Sequence, residues 1–220
     1  MKNIILQHWT GELGPLELAS KANMEKYAKQ CGAEYELILG NQFHPKLHGC
    51  YQKLIMLDKR FDKYQDTLMV DLDMFVVKNV KENVFHVPGV GLNSKVQKDI
   101  FKAMCKGKKY RSVTDSNGPF WGGAFWKFTN EQRKQLRKFI VDKELKIFNK
   151  NFNDEGAIHR LATLAGLKQI DVPEEWCWGN CFPGYENAKM IHIRHKFKYV
   201  GPKVPKLEVY EALKKEGIFE

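Results

Sequence analysis

The sequence predicts an α/β fold with a mostly parallel central sheet and helices on both of its faces. Short apolar runs alternate with longer segments of helical spacing, giving the order strand, helix, strand, helix, strand over residues 1–75. The third of those runs ends in Asp71-Leu72-Asp73. Parallel sheets of this kind bind ligands beyond the carboxyl ends of their strands, and both aspartates fall at such an end.

Each element has its own reason. Asn3 to Leu6 is an apolar run suited to a buried strand. Pro15 opens a helix whose apolar side carries Leu16, Ala19, Met24, Tyr27, Ala28 and Cys31. Glu34 to Leu39 is a second strand. Tyr51, Leu54, Ile55 and Phe61 have helical spacing, and Thr67 to Val70 is the third strand. The second half is less regular. It predicts a helix from Val96 to Cys105, a glycine-broken aromatic run from Phe120 to Phe128, and a helix from Glu131 to about Phe148. That helix places Leu136, Phe139, Ile140 and Ile147 inside, with Arg133, Lys134, Arg137 and Lys138 mostly outside as solvated charges. A helix from Asp154 to Ala165, a strand from Lys189 to Ile193 and a final helix from Pro205 to Lys215 complete the order.

The 220 residues are 43% hydrophobic and 12% aromatic, enough for one sizeable core and short for two, so a single domain over 1–220 is expected. Met1 to Leu6 turns polar at Gln7, too early for a signal peptide, and the chain is expected to be cytoplasmic. Five widely spread cysteines suit a reducing compartment, and Cys177 and Cys181 lack the second pair a zinc site needs. A net charge of +10 points to phosphate-bearing partners: nucleic acid, anionic headgroups or nucleotides. Part of it lies in Lys102 to Arg111, and part in Arg194, Lys196, Lys198, Lys203 and Lys206.

Asp71 and Asp73 interrupt what is otherwise a continuous buried strand. An unpartnered buried charge is costly, and a divalent cation is one remedy; a solvated turn is the other reading. Gly122-Gly123 marks either a β-bulge or a place where the backbone approaches something closely. Asp154-Glu155 at a helix start either complements the helix dipole or supplies a carboxylate for chemistry.

Four segments, in order, resemble the GT-A glycosyltransferases, and most of all glycosyltransferase family 8, the glycogenin and bacterial galactosyltransferase group. Tyr51-Gln52-Lys53-Leu54 leading to Asp71-Leu72-Asp73 looks like the family's Tyr-x-Arg-Leu helix and metal-binding Asp-x-Asp. Trp121-Gly122-Gly123-Ala124-Phe125 resembles the segment beside the donor sugar, with Trp121 where asparagine is expected. Asn153-Asp154-Glu155 looks like the reaction-centre segment, with Glu155 in place of glutamine. His192 and Lys198 reproduce the spacing between a metal-binding histidine and a diphosphate-binding lysine.

The resemblance implies a GT-A fold, with a nucleotide-binding half over 1–75 and a donor-sugar and acceptor half over 76–220. It also implies a UDP-sugar donor, a glycan or lipid-linked acceptor, and manganese or magnesium held by Asp71, Asp73 and His192, with Asp71 binding metal or ribose. Lys198 would meet the diphosphate, and the donor sugar would lie over Gly122 and Gly123 with Trp121 and Trp126 as apolar walls. Lys53 replaces the family's arginine, keeping charge but losing the bidentate fork. Asp154 and Glu155 are the expected catalytic carboxylates, and a glutamate at 155 fits either inversion or retention. Gln7, His8 and Trp9 end the first strand where such enzymes hold base and ribose; a Trp buried for packing is an equal reading of Trp9. The small size also resembles compact glycosyltransferase domains of bacterial polysaccharide clusters and large algal DNA viruses. The rivals are a sugar nucleotidyltransferase, which needs a Gly-rich, Arg-containing loop that Gln7 to Gly14 does not provide, and a nucleic-acid-binding protein. Against the latter, the aromatics cluster in apolar runs instead of alternating with Lys and Arg, so no nucleic-acid partner is expected. The basic surface leaves peripheral membrane contact as a further expectation.

Overall fold

The computed structural model describes residues 2–89, 123–140, 153–167, 172–198 and 201–220. The helix expected at 96–105 and the basic cluster from Lys102 to Arg111 lie outside these residues, as do Trp121 and Gly122.

Three strands build the parallel part of the main sheet: β1 (Ile4–Trp9), β2 (Glu34–Leu39) and β3 (Asp66–Asp71). β1 lies between the others, pairing Ile4 with Glu34 on one side and with Thr67 on the other. The aromatic run supplies β5 (Phe125–Thr129), antiparallel to β3 with Met69 opposite Trp126, which completes the order β2-β1-β3-β5. Successive side chains point to opposite faces of a strand, and here both faces are buried. Ile4, Leu6, Met69 and Trp126 pack beneath the 3-10 segment Gly49–Leu57 and the helices α2 (Asn130–Arg137) and α3 (Asn153–Leu164). Ile5, Leu68, Val70 and Phe125 pack with Met24, Tyr27 and Ala28 of α1 (Pro15–Gln30).

A smaller sheet joins β4 (Met74–Val76), β6 (Trp178–Gly179) and β7 (Met190–His192) in the order β4-β7-β6. β4 runs antiparallel to β7, placing Met74 opposite His192. Its outer side packs on α4 (Lys206–Lys215), where Phe75 stacks on Tyr210 at 4.6 Å between ring centroids. Among the described residues no helix is long and apolar enough to cross a membrane.

Two expectations need correction. The helix expected from Tyr51 to Phe61 is instead two 3-10 segments, Gly49–Leu57 and Lys59–Phe61, divided at Asp58, whose side chain accepts from the Arg60 N–H. Nor are Arg133 and Arg137 solvated. Arg133 is fully buried and donates to the carbonyls of Phe128, Phe61 and Tyr64 at 3.0, 3.0 and 2.8 Å. Burial lowers its pKa to about 10, so it is still a cation at neutral pH. Arg137 forks onto both oxygens of Asp62. Arg133 adds a second donor to the Phe61 and Tyr64 carbonyls, which also accept from Tyr64 N–H and Asn130 Nδ2, and Arg137 donates to the Leu57 carbonyl.

Candidate metal and substrate site

Asp71 closes β3 and Met74 opens β4, so Leu72 and Asp73 form the turn between the two sheets. The surrounding backbone holds this turn firmly. Asp71 N–H donates to the Ala124 carbonyl at 3.0 Å, and Ile193 N–H donates to the Asp73 carbonyl at 2.9 Å. From beneath, Gln7 Nε2 donates to the Asp71 carbonyl at 3.1 Å and to Ser20 Oγ at 3.0 Å, while Ser20 donates to the Met74 carbonyl. Gln7 Oε1 accepts from the Tyr35 hydroxyl. This corrects the reading of Gln7 as a base-binding residue. Its amide is fully buried and engaged on every side, so it shapes the turn and does not face the cleft.

β7 sets His192 across from this turn. Asp71, Asp73 and His192 offer one ligand atom each, all within 4.8 Å of one another. His192 Nε2 lies 3.0 Å from Asp73 Oδ1 and 3.9 Å from Asp71 Oδ2. Burial, reinforced by Arg194, lowers the His192 pKa against the pull of Asp73, which favours the neutral imidazole that ligates metals. Burial alone would raise the Asp73 pKa, but His192 and Lys206 outweigh it and hold the carboxyl below its usual range. A neutral imidazole lends little charge, so we assign most of that effect to Lys206, whose ammonium contacts Asp73 Oδ2. Asp73 Oδ1 and His192 Nδ1 are buried without a hydrogen bond. A carboxylate oxygen that faces an imidazole nitrogen at 3.0 Å and a second carboxylate, without hydrogen-bond geometry, fits a divalent cation, and two oxygens with one nitrogen suit manganese or magnesium.

Lys53 extends the site toward α3. Its Nζ lies 2.5 Å from Asp71 Oδ1, 2.5 Å from Asp154 Oδ2 and 2.6 Å from the Gly123 carbonyl. Burial would lower the Lys53 pKa, but Asp154 and Asp71 overcome it and push the value up. Asp154 is raised by its own burial and drawn back by Lys53. With an ammonium at 2.5 Å we take the pair as ionised, although the Lys53 approach to Oδ2 lacks hydrogen-bond angles. Trp126 lies under Lys53, with its ring centroid 5.0 Å from Nζ; it is fully buried and forms no wall of the cleft.

Glu155, beside Asp154 in the first turn of α3, accepts from the Gly123 N–H at 3.1 Å. Its surroundings exclude water although part of its side chain still reaches solvent, and burial followed by the neighbouring Asp154 charge pushes its pKa up to about 7. A Cβ at position 123 would stand 2.7 Å from Glu155 Cγ and 2.9 Å from Asp154 Oδ2. The glycine is therefore required by the approach of α3 to the chain entering β5.

These groups line a cleft of about 330 Å3, which His8, Trp9 and Gly123 also border. His8 Nε2 is 2.8 Å from the Gly40 carbonyl, and Trp9 Nε1 donates to the Glu12 carbonyl. Lys198 is exposed and does not border the cleft, in contrast to its expected diphosphate role. Arg194, two residues after His192, borders it instead. Arg194 and Lys206 were visible in the sequence only as members of a basic run. Cys50 also borders the cleft, its Sγ 3.2 Å from His48 Nδ1.

The fold and the site together define a class: an α/β protein with an acidic, metal-competent cleft at the carboxyl end of a parallel sheet. No family model matches the sequence, and no curated protein matches it. Among solved structures the chain is similar to a glycosyltransferase involved in the glycosylation of the major capsid of PBCV-1. The TM-score is 0.61 at 10% identity, over 97% of this chain and 100% of that one. At that identity the likeness shows the fold alone: the chain has a GT-A-like fold, and family 8 is not singled out.

Proposed function

We propose that this chain is a metal-dependent glycosyltransferase of the family 8 kind, moving a sugar from a UDP-sugar to a glycan or lipid-linked acceptor in the cytoplasm. The observation that carries the reading is the Asp71, Asp73 and His192 set, with its bare Asp73 oxygen, at the end of β3 in a GT-A-like fold. A manganese or magnesium ion held there would neutralise the leaving diphosphate as a Lewis acid. The chain's own residues do the rest. Arg194 supplies positive charge within the cleft for the diphosphate, the part first expected of Lys198. His8 and Trp9 border the side of the cleft where the nucleoside would lie.

Lys53 ties Asp71 to Asp154, so the metal-holding carboxylate and the start of α3 move as one unit. Asp154 is paired with that lysine, which leaves Glu155 as the better proton acceptor: with a pKa of about 7 it can take a proton from an acceptor hydroxyl near neutral pH. The exposed Lys198 and Lys203 lie in the chain that follows Arg194, where an anionic lipid surface carrying the acceptor would meet them.

The test is calorimetric titration of UDP with Mn2+, with EDTA, and with an Asp73→Ala variant. Binding that needs Mn2+ and vanishes in the variant supports the donor site. UDP binding that is indifferent to both treatments refutes the metal reading, and no binding of any nucleoside diphosphate refutes the transferase.

A further inference from the structure

Asp73 meets two cation-seeking arrangements at once. Its Oδ1 faces His192 Nε2 at 3.0 Å, while its Oδ2 contacts the ammonium of Lys206, the first residue of α4. The carboxylate cannot easily turn away from either, because the Asp73 carbonyl is bound by Ile193 N–H and the turn is held by Gln7 and Ala124. Lys206 is less constrained. Its side chain is 27% exposed against 16% for Asp73, so the ammonium beside Asp73 has solvent within reach. Its helix is anchored elsewhere, by the buried Val209, Tyr210 and Leu213. The side chain can therefore leave Asp73 while α4 stays docked.

An ammonium on Oδ2 is a near neighbour of any ion bound through Oδ1 of the same carboxylate, and the two like charges repel. Asp71 is already paired with Lys53, so the cluster's two carboxylates each face a lysine. We propose that Lys206 is a gate on the metal site: its ammonium holds the cation's place at Asp73, and a divalent ion binds by displacing it toward solvent. Lys206 is thus a positioning residue that holds the Asp73 carboxylate in place when no metal is bound, and it lowers the affinity for metal alone. This inference rests on the metal reading of Asp71, Asp73 and His192.

The experiment measures Mn2+ affinity without nucleotide, from the paramagnetic resonance signal of free Mn2+, for the unaltered protein and for Lys206→Gln, Lys206→Met, Lys206→Arg and Asp73→Ala. Circular dichroism and thermal melting check that each variant is folded. Both neutral variants are expected to bind Mn2+ about tenfold or more tightly, a gain equivalent to removing a competing ion pair. Lys206→Arg keeps the competing charge and is expected to bind no tighter than the unaltered protein. If the unaltered protein binds Mn2+, Asp73→Ala does not, and the neutral variants bind equally or more weakly, the gate is overturned and the metal site stands. If neither the unaltered protein nor the neutral variants bind Mn2+, both fall.

Discussion

Replacing Lys53 by methionine tests the ion network most directly, because it removes the charge at nearly constant volume. Lys53 Nζ holds Asp71 Oδ1 and Asp154 Oδ2 at 2.5 Å each and the Gly123 carbonyl at 2.6 Å, with its side chain 8% exposed. Removing one partner of a buried pair leaves an uncompensated charge and costs about 3–5 kcal/mol. Two carboxylates lose their common cation here, so the upper part of that range is expected for Lys53→Met. A domain of this size has a total stability of about 5–15 kcal/mol. At about 2–4 °C per kcal/mol, the melting temperature should fall by roughly 8–20 °C.

The assay is urea unfolding followed by tryptophan fluorescence, for which Trp126 beneath Lys53 is a local reporter. A second variant separates lost attraction from stranded charge. Adding Asp154→Asn to Lys53→Met removes one orphaned carboxylate and should recover part of the loss, a coupling that a double-mutant cycle measures directly. A Lys53→Met protein within about 0.5 kcal/mol of the unaltered one, the range of an ordinary surface substitution, would refute the network.

Glu155 gives the pH prediction. Its carboxyl is raised from 4.5 to about 7, so the stability it contributes is fully present below pH 4.5 and is lost as pH rises through about 7. The gap corresponds to at most about 3 kcal/mol, reduced by the group's partial access to solvent. Glu155→Gln should therefore lack this decline and gain on the unaltered protein between pH 5 and 8 in urea melts; parallel curves would show that Glu155 ionises normally. At Arg133, substitution by methionine removes the guanidinium's bonds to the carbonyls of Phe128, Phe61 and Tyr64, while Phe61 and Tyr64 keep those from Tyr64 N–H and Asn130 Nδ2, so about 1–3 kcal/mol should be lost. Arg133→Lys should restore only part of that loss, since a lysine cannot fork to several carbonyls; full recovery would mean that charge alone matters at that site.

The parts of the fold that were legible are those in which local pattern and burial coincide. β1 and β3 are covered on both faces, so Ile4 to Leu6 and Thr67 to Val70 read as unbroken apolar runs, and the aspartates that stop the second run mark the sheet's carboxyl end. His192 was legible through its spacing to Lys198, although that lysine itself lies exposed outside the cleft. The glycines at 122 and 123 suggested a close approach, and at Gly123 the approaching atoms belong to Asp154 and Glu155 of the same chain. Arg133 was misread because helical periodicity reports which face a residue occupies and says nothing of the carbonyls that other elements bring within its reach.

The ion pairs that the cations of the site make were illegible for a related reason. Lys53 and Asp71 are 18 residues apart, and Lys206 and Asp73 are 133 apart. No helix or strand period links positions so distant; the pairs exist only because the sheet stacks β3 against the 3-10 segment and β4 against α4. A lysine at any of several nearby positions would leave composition, charge and periodicity unchanged. The basic run from Arg194 to Lys206 therefore indicates how many positive groups an acidic site can draw on, while the packing of α4 through Val209, Tyr210 and Leu213 decides that Lys206 is the one to reach it. For the same reason, loss of metal control on replacing Lys206, with no effect on replacing Lys198 or Lys203, would be a property of this tertiary fold and of nothing written locally in the chain.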